Sequence, residues 1–160
     1  MRTLGRQARQ SARVYFTGGA TAVLMGWRDS TIDIDLKFDP ELDELFRALQ
    51  SLKEKLEVNI ELASPSDFIP PLPGWQERSD YINSEGKVAF YHYDLYSQAL
   101  SKIERGHAQD IADVESMFQK GLLDKEKLLS LFEAIEPELY KYPAIDPDSF
   151  SQAVHQIIGK

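Results

Sequence analysis

The feature that most constrains this chain is the alternation at residues 31–38, where odd positions read Thr, Asp, Asp, Lys and even positions read Ile, Ile, Leu, Phe. A polarity period of two predicts a strand with one face on a core and the other in water. Residues two apart on a strand project to the same side, with Cα atoms about 6–7 Å apart. Asp33 and Asp35 therefore share a face, and their repulsion has to be relieved by solvent, a proton or a cation. Just upstream, Val14 to Thr17 reads as a short strand broken by Gly18-Gly19, and the alanine-rich run Ala20 to Gly26 reads as a short buried helix.

A divalent ion that prefers oxygen relieves such a pair well, since Mg²⁺ takes one or two carboxylates together with substrate phosphates. Residues 57–62 alternate again, with Glu57, Asn59 and Glu61 on one side. If that strand lies in register beside the first, Glu61 or Glu57 joins the same polar face. Three carboxylates on adjacent strands can hold two cations for in-line phosphoryl or nucleotidyl displacement, and the third can also act as a base. A strand ending in Gly18-Gly19 and followed by a helix offers backbone N–H groups to a triphosphate. Each feature has a plainer use: a water-facing strand carries acids, and glycines make tight turns.

The rest of the chain alternates between the two periods. Residues 2–13 read as a helix, with Arg2, Arg6, Arg9 and Arg13 at helical spacing. Asp39-Pro40 reads as the start of a helix running to about Leu56, with Leu42, Leu45, Phe46, Leu49 and Leu52 inward. Residues 64–79 hold four prolines and read as irregular, with Phe68, Trp75 and Arg78 as candidates to cover a nucleotide base, contact a partner or pack over the sheet. Strands are expected near Asp80 to Asn83 and Val88 to Tyr93. Helices are expected at Asp94–Arg105, Ala108–Lys120 and Asp124–Glu136, and from Asp146-Pro147 onward. This order describes an α+β or α/β domain, with a core over 1–93 and a helical part over 94–160 packed on it as one unit.

Composition narrows the function classes. The 160 residues contain no cysteine, which excludes disulfides, thiolate metal sites and a thiol nucleophile. Net charge is −8, yet the first 28 residues hold five arginines and no acid. Overall acidity argues against non-specific binding to long nucleic acid, while the basic segment keeps a specific RNA or a triphosphate open. The arginine helix also reads simply as a solvated face offsetting an acidic body. Without an apolar run of membrane-spanning length, the expectation is a cytoplasmic protein with no membrane partner.

Gly18-Gly19, the intervening helix and Ser30-Thr31-Ile32-Asp33-Ile34-Asp35-Leu36 resemble the signature of the nucleotidyltransferase superfamily, the polymerase-beta-like fold. In that pattern a hydrophobic strand ends in Gly-Gly or Gly-Ser, a D-x-D strand follows, and a later strand brings a single carboxylate. Ile60-Glu61-Leu62 matches the third element, so the resemblance selects Glu61 over Glu57. It implies a small mixed sheet with flanking helices and a C-terminal helical part. It also implies transfer of NMP from an NTP to a hydroxyl of RNA, tRNA or protein, with Mg²⁺ or Mn²⁺ on Asp33, Asp35 and Glu61.

The run ALSKIERGHAQDIADVESM, residues 99–117, resembles the segment after the core in abortive-infection-type nucleotidyltransferase toxins and their uncharacterised bacterial relatives. By that resemblance Gly18, Gly19 and Lys102 would hold the triphosphate, and Asp110 or Asp113 would orient it or complete the site. Arg28 would neutralise phosphate or pair with Asp29, and Thr31 joins the nucleotide-binding set. A toxin role would bring an antitoxin partner. The chain departs from the pattern in its Gly-Gly, where Gly-Ser is usual, and in being shorter than the full-length toxins. The three histidines show no metal spacing and read as incidental. The alternative function is a non-catalytic module of the same fold that binds a nucleotide or a partner.

Overall fold

β1 (Ala12–Thr17) is the central strand of a five-stranded sheet, with β2 (Asp33–Asp39) antiparallel on one side and β5 (Val88–His92) parallel on the other. β3 (Asn59–Leu62) pairs parallel with β2, and β4 (Asp80–Glu85) pairs antiparallel with β5, giving the order β3-β2-β1-β5-β4. The computed structural model describes residues 1–160 and divides them into two units. The sheet belongs to the first, made of Met1–Ser64 and Ser79–Tyr93.

One face of the sheet makes the core of this unit. Val14, Phe16, Leu36, Phe38, Ile60, Val88 and Phe90 cluster there with Leu4, Ala20, Leu45, Ala48 and Leu49. The last five come from α1 (Arg2–Gln7), α2 (Gly19–Met25) and α3 (Asp43–Leu56). Strand alternation sends Arg13, Tyr15, Thr17, Asp33, Asp35, Lys37, Glu61 and Tyr91 to the opposite face. The mixed sheet with flanking helices is the expected architecture, and β2 is placed as its polarity demands.

Several boundaries differ from the sequence reading, each for a physical reason. The first helix stops at Gln7, because the backbone beyond it is claimed by long-range partners. Arg9 N–H donates to Glu44 Oε1 at 3.1 Å, Lys87 Nζ donates to the Arg9 carbonyl at 2.9 Å, and Ala12 N–H donates to the Lys87 carbonyl at 3.1 Å. The four arginines are therefore no helical stripe: Arg2 and Arg6 lie on α1, Arg9 on the link and Arg13 on β1. Asp39 ends β2 rather than capping a helix, its bond to Pro40 is cis, and α3 begins only at Asp43. Glu57 takes a left-handed φ of 52° as the cap of α3, so β3 starts two residues later.

The second unit comprises Pro65–Arg78 and Asp94–Lys160. The proline-rich segment is not wholly irregular, since it holds a 3₁₀ turn at Pro65–Asp67 and a short helix, α4 (Trp75–Arg78). Arg78 fixes it to the next helix: its Nε and Nη2 donate to the two oxygens of Asp94 at 3.1 and 2.8 Å. The same carboxylate caps α5 (Leu95–Arg105) by accepting from the amides of Tyr96 and Ser97. Helices α6 (Ala108–Gln119), α7 (Lys125–Ile135) and α8 (Pro147–Ile158) complete the unit, with Asp124 and Asp146 capping the last two. α7 ends at Ile135, just before Pro137, and the chain goes on as a 3₁₀ turn over Glu136–Lys141 with the proline in its first turn.

Leu36 lies between Asp35 and Lys37 on the buried side and is 2% exposed. Replacing it by Ala leaves a cavity beneath the D-x-D strand, and urea denaturation is expected to show a loss of about 2–5 kcal/mol.

Candidate active site

The β-sheet register brings the carboxylates together. Asp35 stands opposite Glu61 of β3 on one side and Thr17 of β1 on the other, while Asp33 stands opposite Asn59. Neighbouring strands lie about 4.8 Å apart, so Asp33, Asp35 and Glu61 occupy adjacent positions on one face. Glu57, the other acid of the second alternation, is outside the strand. Asp33 and Glu61 are exposed and Asp35 is half-buried. Asn59 Nδ2 donates to Asp33 Oδ1 at 3.1 Å, which fixes that side chain across the β2–β3 pair.

The glycine turn abuts this row. Gly18 has φ 62° and ψ −131°, a conformation suited to glycine, and a Cβ there would stand 3.3 Å from Asp35 Oδ2. A Cβ on Gly19 would overlap the Thr31 side chain and come within 3.3 Å of Arg28 Nη1. Thr31 Oγ1 in turn donates to the Asp33 carbonyl at 2.9 Å and lies 3.2 Å from the Asp33 amide. Gly18, Gly19, Arg28, Thr31, Asp33, Asp35 and Glu61 are thus one continuous neighbourhood. A basic guanidinium, a hydroxyl and the glycine backbone lie beside acidic oxygens.

The carboxylates are not drawn into a closed three-ligand metal cluster. The donor set nonetheless suits a hard divalent ion. Its oxygens are water-accessible and share one face, and Mg²⁺ requires only one or two of them, with phosphates and water supplying the rest.

His92, read as incidental, is a supporting residue of the turn. Its Nδ1 lies 3.1 Å from Thr21 Oγ1, which donates to the Phe16 carbonyl at 3.2 Å, so the ring ties β5 to the strand end that leads into Gly18. The alternation Val88, Phe90, His92 already places it on the buried side of β5. Burial pushes its imidazole below the ordinary range, and the nearby Asp80 offsets part of that.

Lys102, Asp110 and Asp113 come together in the second unit, on α5 and α6. Lys102 Nζ donates to Asp113 Oδ2 at 2.9 Å and lies 3.8 Å from Asp110 Oδ1. Gln109 Nε2 donates to the other Asp113 oxygen at 3.2 Å, and Arg105 Nε to Asp110 Oδ2 at 2.7 Å. Burial pushes the Asp110 carboxyl up, but the Arg105 hydrogen bond and the Arg105 and Lys102 charges outweigh it, leaving it below the usual range. With Lys102 6%, Asp110 2% and Asp113 1% exposed, this is a buried ionic clasp between two helices.

A mixed sheet with a glycine turn at the end of one strand and D-x-D on the next is the framework of a nucleotidyltransferase. Residues 1–151 match the family described as nucleotidyltransferase of unknown function (DUF6036), and the chain belongs to that family. Neither the curated proteins nor the solved structures give a match. No helix is long and apolar enough to cross a membrane.

Two stability measurements test the supporting contacts. Lys102→Met leaves Asp113 buried without its cation, and denaturant unfolding is expected to show a loss of about 3–5 kcal/mol. For His92 the folded pKa lies below the unfolded one, so the unfolded chain binds the proton first as pH falls. The stability it contributes is present above about pH 6.5 and lost below it. Relative to His92→Gln, the wild type is expected to lose stability as pH falls from about 6.5 through the lower folded pKa.

Proposed function

We propose that this protein transfers a nucleoside monophosphate from an NTP to an acceptor hydroxyl. The observation that carries the reading is the register of Asp35 with Glu61, with the Gly18 turn against Asp35 Oδ2. In this reading Asp33 and Asp35 hold Mg²⁺ or Mn²⁺, with Glu61 as a third ligand or as the base. The bound ion would supply neutralising charge to the triphosphate and the leaving pyrophosphate.

The chain's own residues do the rest. Arg28, whose guanidinium lies beside Gly19, binds phosphate oxygens, and Thr31, packed against Gly19 with its hydroxyl on the Asp33 carbonyl, holds the D-x-D strand close to the glycine turn. Glu61 takes the proton of the acceptor hydroxyl. The acceptor oxygen bonds to the α-phosphorus, the bond to the β-phosphate oxygen breaks, and pyrophosphate departs. Lys102, Asp110 and Asp113 are assigned to holding α5 on α6, because the Lys102 amine already faces two buried carboxylates. The α5–α6 resemblance extends the reading to a toxin held in check by an antitoxin. Nucleotide binding without turnover is the rival, favoured by the Asn59 contact to Asp33 and the open arrangement of the carboxylates.

Labelled NTPs incubated with Mg²⁺ and RNA, tRNA or protein acceptors separate the two. Transfer is expected in the wild type and is expected to drop by at least about a hundredfold in Asp33→Asn and Asp35→Asn, with melting temperature nearly unchanged. Retained transfer in either variant would sink the assignment. NTP-dependent stabilisation with no transfer to any acceptor would establish the binding module.

A further inference from the structure

Beyond the carboxylate row, the same face of the sheet carries an aromatic ladder with cations at its end. Tyr15 of β1, Tyr91 of β5 and Tyr81 of β4 lie side by side in register. The Tyr15 and Tyr91 rings stack at 5.3 Å between centroids, and Tyr81 meets Tyr91 edge-on at 5.7 Å. Tyr15 is buried and anchors the ladder, Tyr91 is half-buried, and Tyr81 is 60% exposed. A hydrogen bond of 2.8 Å between the Tyr81 hydroxyl and Ser84 Oγ fixes the outer ring.

The Arg13 guanidinium lies 5.6 Å from the Tyr91 ring centre. Arg13, Lys87 and Tyr91 line an open cavity of about 400 Å³ together with Ser11 and Asp39. Lys87 Nζ donates to the Arg9 carbonyl, which fixes the ammonium at this rim. The unit that bears this surface holds 10 of the 18 basic and 12 of the 26 acidic residues, a net −2, so the acid excess of the chain sits mainly in the other unit.

An exposed tyrosine ring at the end of a ladder, flanked by arginine and lysine, suits an unpaired base on a phosphate backbone, because every base has a π-face to stack and every linkage an anion to neutralise. A folded protein acceptor offers neither repeat. We infer that the Tyr81–Tyr91–Arg13–Lys87 surface binds single-stranded RNA as the acceptor. Tyr81 stacks a base, Tyr91 backs it from within the ladder, and Arg13 and Lys87 take phosphates. This rests on the nucleotidyltransferase reading and names its acceptor class.

Fluorescence anisotropy with a short labelled single-stranded RNA tests the surface on the full chain, with thermal stabilisation by NTP and Mg²⁺ measured in parallel. RNA affinity is expected to fall with salt, and Tyr81→Ala to weaken it about tenfold, whereas Tyr81→Phe keeps the ring and the affinity. Arg13→Gln is expected to reduce the slope of log affinity against log salt by about 0.7. All three variants are expected to bind NTP as the wild type does. Unchanged RNA affinity in both Tyr81→Ala and Arg13→Gln overturns the inference, as does label transferred to a protein by a chain that binds no RNA. RNA bound as described by a wild type that NTP fails to stabilise would support the surface and instead count against the nucleotidyltransferase reading.

Discussion

The antiparallel pairing of β1 with β2 is the interaction on which the candidate site depends. A shift of one residue in this register would turn Leu36 and Phe38 to water and drive Asp33, Asp35 and Lys37 into the apolar core. Burying unpaired charge costs far more than any apolar packing elsewhere could offset. The hydrophobic effect acting on Val14, Phe16, Leu36 and Phe38 thus sets where the carboxylates stand. The parallel pairing of β2 with β3 then brings Glu61 alongside Asp35, with Ile60 buried on the other face as its counterweight.

The turn after β1 follows from the same constraint. Thr17 is opposite Asp35, so the next residue must pass the carboxylate with its backbone. Gly18 does so at positive φ, and Gly19 leaves the space that the Thr31 side chain fills. Each glycine has a distinct steric reason, one facing Asp35 and the other Thr31. His92 and Thr21 brace the strand end behind them through the Phe16 carbonyl. The neighbourhood of the turn is therefore held by packing and hydrogen bonds that owe nothing to a bound nucleotide.

Local periodicity made β2, the core side of α3 and the candidate carboxylate row legible in the sequence, because each is decided by which side of an element faces water. Where long-range partners decide, the sequence misleads. Arg2, Arg6, Arg9 and Arg13 have helical spacing, yet Lys87 and Glu44, distant in sequence, claim the Arg9 backbone and end the helix early. Asp39-Pro40 looks like a helix start, but β1 holds Asp39 opposite Arg13 in the sheet. Glu57 and Glu61 are equivalent by alternation alone; only the left-handed turn at Glu57 removes it from the strand. Nothing local in the sequence marks Lys102 for burial; the turn at Gly106 leads into α6, which places Asp110 and Asp113 around its amine.

Charge shows how an average can hide a surface. A net charge of −8 describes the whole chain, but the sheet-bearing unit is close to balance. Within it the registered strands sort charge into rows: Glu61 and Asp35 beside Thr17, then Lys37, Tyr15 and Tyr91, then Asp39 and Arg13. Successive rows are two residues, or about 7 Å, apart along each strand. The acidic row and the end where Arg13 and Lys87 outnumber Asp39 can therefore share one face, because a row of Lys37 and two aromatic rings stands between them. The pleat that keeps Asp35 out of the core also keeps Tyr91 and Arg13 on the same side, so one periodicity in four short strands arranges both chemistries.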